Sequence, residues 1–166
     1  MKRTLLLIAL VAIPVTAIAQ EQAAPPVAPS GPPAAQVVPP PAPSTPDEFV
    51  AARQARMARG GGNLASLKQV ADANGDLTTL TPRIERLIQW SVDLPTMFPE
   101  GSNTAASGAK PEVWSDHAGF QAAAERFQTA VRALAAPAAA NDHAAFMTAW
   151  TAAHDACSAC HDAYKD

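Results

Sequence analysis

The chain predicts an all-α fold, an antiparallel four-helix bundle over residues 47–166, and three observations carry that reading. Apolar residues recur at alternating steps of three and four in four successive segments, which is the spacing of one helix face. Proline and Asn-Gly or Asn-Asp turn chemistry separates those segments. Aromatic residues make up only 5% of the chain, which suits an alanine-rich helical protein and leaves little for a large β core. The roughly 120 residues of this region suffice for one compact core.

Two segments precede the bundle. Met1 to Ala19 reads as a secretory signal peptide, with Lys2 and Arg3 at the start and an apolar run from Leu5 to Ile18. Ala17-Ile18-Ala19 is a small-x-small cleavage site, so Gln20 begins the mature protein. The run is short for a spanning helix and Pro14 interrupts it, so no membrane span is expected in the mature form. Residues 20–46 hold ten of the sixteen prolines and read as a disordered, partly extended Pro/Ala-rich linker.

The first helix is predicted over 47–73, with Val50, Arg53, Met57, Gly60, Leu64, Leu67 and Ala71 on one stripe. Arg53 and Gly60 are unusual members of a core face. Gly60-Gly61-Gly62 costs about 1 kcal/mol per residue against alanine in a helix, so it marks either room for a bulky group or a kink. Asn74-Gly75-Asp76 ends the helix. The second helix spans 78–93, with Thr81-Pro82 at its start and Ile84, Leu87, Ile88 and Ser91 inside. Pro95 and Pro99 then bracket a loop. The third helix opens at Pro111-Glu112, carries Val113, His117, Phe120, Ala124, Phe127, Val131 and Leu134, and ends at Pro137. Asn141-Asp142 caps the fourth, whose stripe runs through Phe146, Trp150, Ala153, Cys157, Cys160 and Tyr164.

That fourth helix carries Cys157-Ser158-Ala159-Cys160-His161, a C-x-x-C-H run of the kind that attaches haem c. Each cysteine can form a thioether to a haem vinyl group, and the adjacent histidine can bind the iron. On a helix the two sulfurs sit at i and i+3, on one face. The expected cofactor is therefore one covalent haem, with His161 as proximal ligand. A zinc site from His154, Cys157, Cys160 and His161 would aim its ligands in too many directions, since structural zinc joins separated pairs. A thiol–disulfide oxidoreductase places its C-x-x-C at a helix start beside a strand, which this sequence lacks.

The sixth iron position must be filled from another helix or left open. Met147 lies fourteen residues before His161 on the same helix, roughly 21 Å along the axis, and is out of reach. Met97 sits in the proline-bracketed loop. His143 and His154 share the haem-bearing helix. His117 on the third helix and Met57 on the first remain, and spacing alone favours Met57 as a packing residue over Met57 as a ligand.

Over nearly all of 47–166 the sequence resembles the cytochrome c′ family, the class II c-type cytochromes. The resemblance rests on Ala156-Cys157-Ser158-Ala159-Cys160-His161-Asp162-Ala163-Tyr164-Lys165, with a basic residue four places after the histidine. Pro111-Glu112-Val113-Trp114, Leu94-Pro95 with Phe98-Pro99, and Arg53 followed four places later by Met57 also carry it. The resemblance implies that Met57 occupies the distal position. Methionine there marks the low-spin members, whereas leucine or phenylalanine leaves the iron five-coordinate and open to small gases. Arg53 is usual in the five-coordinate group, so gas binding stays as the alternative. Lys165 is placed either near the His161 ring or as a solvated terminal charge, Arg53 at a haem propionate or on the bundle surface, and Trp114 in core or haem-edge packing.

The function expected is that of a periplasmic monohaem one-electron carrier with His161/Met57 ligation, exchanging electrons with unidentified redox partner proteins. The alternative is an NO- or CO-binding protein. No enzyme activity is expected, because no catalytic constellation is present. The net charge of −3, with no basic cluster after the signal, argues against nucleic acid. The resemblance also implies a homodimer through the first two helices, which nothing in this sequence establishes by itself.

Overall fold

The computed structural model describes residues 42–166. The expected signal peptide and the linker up to residue 41 lie outside the described residues. Helix α1 spans Pro46–Asp72 and α2 spans Thr81–Asp93; α3 is Glu112–Ser115, α4 His117–Arg132, α5 Ala135–Ala139 and α6 His143–Tyr164. Four of these are long, and they pack in a ring: α1 on α2, α2 on α4, α4 on α6 and α6 on α1. Neighbours run antiparallel. Gly60 meets Trp90 where α1 passes α2. Trp150 Nε1 donates to Leu64 O at 2.8 Å where α6 passes α1. Phe120 packs edge-on against Tyr164, the start of α4 against the end of α6.

Local chemistry explains most element boundaries. Thr45 caps α1 in a reciprocal capping box with Glu48, and Pro46 takes the first helical position, where its missing N–H costs nothing. Pro46 therefore begins the bundle instead of ending the linker. The predicted third helix is broken. Asp116 leaves helical geometry, and its carboxylate caps α4 by accepting from Gly119 N at 3.2 Å and from Tyr164 Oη at 3.0 Å. A Cβ on Gly119 would push aside that carboxylate and the Tyr164 hydroxyl, so glycine preserves the cap. The break rotates His117 off the predicted inner face: it is exposed, with Gln121 beside it. Pro137 does not stop the helix either; α4 ends at Arg132 and Pro137 lies within the short α5. Asn141, at φ 52°, turns the chain, and its side chain accepts from Leu77 N at 2.8 Å. Asp142 then caps α6.

The two ends of the bundle differ. Leu67, Leu77, Val131, Leu134, Phe146 and Ala153 have no exposed surface, and all belong to the end where α1 finishes and α6 begins. Toward the other end, where α1 begins and α6 finishes, the helices enclose space, which also runs along the outer side of α1 as far as Asp72. The connection from 94 to 111 folds across that end, starting as a 3₁₀ turn at Leu94–Met97. It is pinned to the C-terminus by the hydrogen bonds Lys110 N to Tyr164 O and Asp166 N to Gly108 O.

Candidate functional site

Helix α6 is continuous through residues 157–161, so Cys157 and Cys160 project from one face. That face meets α1 and α4 across a cavity of about 530 Å³, lined by Cys157, Cys160 and His161 from α6 and by Met57, Gly61 and Leu64 from α1. Trp90, Leu94, Ala124 and Phe127 complete its apolar wall. A second cavity of about 230 Å³ adjoins it, lined by Arg53, Met57, Phe98, Phe120, Cys160 and His161 among others. Met57, Cys160 and His161 line both. The larger volume falls within the range of about 300–1,000 Å³ usual for cofactor sites.

Burial governs the titration of all three motif residues. Burial, reinforced by Cys160, pushes the Cys157 thiol up to about 11, and burial likewise raises Cys160 against the opposing pull of Arg126. Both are free thiols. Burial first and Lys165 second lower the His161 pKa, with Asp162 opposing, so the imidazole is neutral and a ring nitrogen keeps its lone pair.

The other candidates for iron fall away by position. Met97 is buried and lines neither cavity, and its carbonyl accepts from Arg53. Met147 packs against the apolar core and lines neither cavity. His117 is exposed. His154 does line the larger cavity, but its ring stacks on Trp150 at 5.1 Å and its Nδ1 lies 3.6 Å from Asp155. Met57, half-buried on α1, is the methionine that shares both cavities with His161.

Arg53 lies neither on the bundle surface nor free to swing. It is 3% exposed and donates four hydrogen bonds into the 94–111 connection: Nη1 to Met97 O (3.4 Å) and Ser102 Oγ (2.9 Å), Nη2 to Ser102 O (2.7 Å) and Ser107 Oγ (2.6 Å). Its guanidinium also lies 4.8 Å from the Phe98 ring centre and 5.9 Å from that of Trp114. Trp114 lines neither cavity; it clamps the same connection by donating to Phe98 O and Pro99 O, both at 3.1 Å. It reaches the smaller cavity only through Phe98. Lys165 lines the smaller cavity, and its backbone N–H closes α6 on His161 O at 2.9 Å. Gly60 and Gly61 serve different needs. A Cβ on Gly60 would sit 3.0 Å from Trp90 Nε1, whereas Gly61 opens onto the larger cavity. The helix runs unbroken through all three glycines.

Trp90 was legible as a site residue but absent from the predicted stripe; it follows Leu87 by three and belongs to the same face. Ser102 and Ser107 carry no sequence signal, because their roles depend on Arg53 being brought to them.

Residues 48–165 match the sequence model of the family described as Cytochrome C'. The chain belongs to the cytochrome c′ family. It is 42% identical over 72 residues to cytochrome c' of Rubrivivax gelatinosus, covering 43% of this chain and 56% of that protein. Against cytochrome c' of Pararhodospirillum photometricum it is 28% identical over 125 residues, 74% of this chain and the whole of the relative. Among solved structures, a nitric oxide complex of a variant cytochrome c prime from Alcaligenes xylosoxidans superposes with a TM-score of 0.69 at 27% identity, covering 74% of this chain and 97% of that one. As a cytochrome c′ the protein carries one covalent haem c, and the cavity, the paired thiols and the neutral histidine fit that group.

Proposed function

We propose that this cytochrome c′ is an exported one-electron carrier whose haem would be held by thioethers from Cys157 and Cys160, with His161 and Met57 as the residues that would ligate its iron. The observation that carries the reading is the position of Met57. It stands on the helix facing α6 and lines, with His161 and Cys160, both cavities at that end. Thioether sulfur is soft, and a Met/His pair is an electron-transfer ligation that raises the potential. When bound, the haem supplies reversible one-electron chemistry. The chain supports this by burying Leu64, Trp90, Ala124 and Phe127 around the cavity, which lowers the local dielectric. Arg53 acts through the connection it holds, keeping Phe98 against the smaller cavity.

A second reading rests on the solved Alcaligenes xylosoxidans relative, whose structure is a nitric oxide complex. Met57 is only half-buried, so in that reading it yields the sixth position to a small gas. Export is proposed from the sequence alone, and among the described residues no helix is long and apolar enough to cross a membrane.

The visible spectra of the ferric and ferrous protein, with and without carbon monoxide, separate the two. The carrier reading expects a low-spin ferric spectrum with the far-red band of methionine–iron bonding and slow carbon monoxide uptake. A high-spin ferric protein lacking that band would sink it. Met57→Ala is expected to convert the protein to high spin and speed carbon monoxide binding. An unchanged spectrum in that variant assigns the sixth position to another residue.

A further inference from the structure

The larger cavity is lined by more ionisable groups than the cofactor would use. With the two thiols assigned to thioethers and His161 to the iron, Lys68, Asp72 and His154 remain. Lys68 and Asp72 bind each other, Nζ to Oδ2 at 2.6 Å, and form a neutral pair. An ammonium and a carboxylate do not ordinarily change charge near neutral pH, whereas an imidazole does. His154 is thus the lining group whose charge can vary there without disturbing a ligand.

Its place in the fold is fixed. His154, Cys157 and His161 follow at steps of three and four, so they share one face of α6. The two histidines lie about 10 Å apart along the axis. The His154 ring stacks on Trp150, with centroids 5.1 Å apart and planes 22° apart. Trp150 is itself held, since Nε1 donates to Leu64 O at 2.8 Å and Lys68 Nζ lies 5.6 Å from its ring centre. The His154 side chain is nonetheless 53% exposed, so it exchanges protons directly with solvent.

The charges facing it come from two helices. Asp155 on α6 places Oδ1 3.6 Å from His154 Nδ1, and α1 presents the Lys68–Asp72 pair. Helices α2 and α4 offer only apolar groups to the cavity, Trp90, Leu94, Ala124 and Phe127. Arg126 acts on Cys160, and Asp162 and Lys165 act on His161.

We propose that His154 couples a proton to the electron this protein carries. On reduction the electron goes to the haem iron, and the His154 imidazole binds a proton from solvent more tightly. A positive charge beside the cavity favours the reduced, less positive site. By linkage, oxidation weakens proton binding at His154 by the same factor. At about 10 Å, in a medium between protein and water, that factor is roughly threefold. The proposal rests on the one-electron reading, but not on which group fills the sixth position.

Two titrations of the holoprotein test it. The midpoint potential, followed spectroelectrochemically over about pH 5 to 8, is expected to fall as pH rises. His154→Gln is expected to reduce that fall and to leave the visible spectrum unchanged. The reciprocal readout is the pH titration of the imidazole C–H signals by NMR in the ferric and the ferrous protein. His154 is expected to titrate at lower pH in the ferric state, by the same rough threefold in proton affinity. His143, at the far end of α6, is expected to titrate alike in both. A pH dependence of the potential unchanged by His154→Gln, or a His154 signal with one midpoint in both states, would overturn the proposal. Failure of the Met57 ligation shows separately, as a high-spin ferric spectrum.

Discussion

The two ends of the bundle are held by different physics. At the packed end, Leu67, Val131, Leu134 and Phe146 interdigitate with nothing exposed, and stability comes from apolar burial. At the cavity end the helices stand apart around space, and a polar centre organises the wall. Arg53 there spends its donors on Met97, Ser102 and Ser107 and lies against Phe98. The contrast shows how a small bundle can keep a large cavity: one end supplies the folding free energy, so the other can be shaped by directional bonds.

Breaking the packed end should have the largest effect on stability. Phe146→Ala is expected to cost about 3–5 kcal/mol, measured as a fall in the denaturant midpoint. The visible spectrum of the folded protein should stay the same, because Phe146 lines neither cavity. A shifted spectrum would mean that the two ends are coupled.

The matching cut at the cavity end is Arg53→Leu. It leaves the Ser102 and Met97 carbonyls without their donor, at about 1–3 kcal/mol for an orphaned buried group. Its stability cost is therefore smaller than that of Phe146→Ala, but its effect on the site is greater. Loosening of residues 98–107 should alter the visible spectrum and raise amide exchange at Ser102 and Ser107. A variant with native exchange in that segment would deny Arg53 its organising role.

The glycines sharpen the comparison on a smaller scale. A Cβ on Gly62 meets nothing within 4 Å, so Gly62→Ala should stabilise the protein by about 0.5–1 kcal/mol. Gly60→Ala gains the same propensity but presses on Trp90 Nε1, 3.0 Å from the new atom. It should show no net gain in thermal unfolding, and a change in tryptophan fluorescence would report the displaced indole.

The smallest effect lies at the α1 N-terminus. Hydrogen bonds from Ser44 and Thr45 hold the Glu48 pKa below its ordinary 4.5. A depressed carboxyl contributes stability that is present above the unfolded value and lost as pH falls through the folded one. Lowering the pH from above 4.5 should therefore fray the first turn of α1, seen as lower amide protection factors there once intrinsic exchange rates are divided out. Glu48→Gln should remove most of that pH dependence.

Much of the fold was legible because helices are written locally. The stripes of α1, α2 and α6 follow from a 3.6-residue period, and side-chain caps mark the starts of α1 and α6. The third helix was misread for a related reason. Ser115-Asp116 carries a cap signal inside an unbroken apolar stripe, and the Tyr164 hydroxyl from α6 joins the Asp116 carboxylate that caps the new helix. His117, which the unbroken stripe had turned inward, thereby reached the surface.

By itself, the sequence determined the cofactor and pointed to the anchor proposed for it. Cys157, Cys160 and His161 are contiguous, and any helix through them presents the two sulfurs on one face. The tertiary structure alone decided what faces that anchor. Met57 lines the same cavities as His161 only because α1 and α6 pack side by side, and Arg53 finds its acceptors 44 to 54 residues further along the chain. Trp90 reaches the wall of the larger cavity where Gly60 lets α2 come close. Such contacts depend on how helices distant in the chain come together, and no local pattern encodes that.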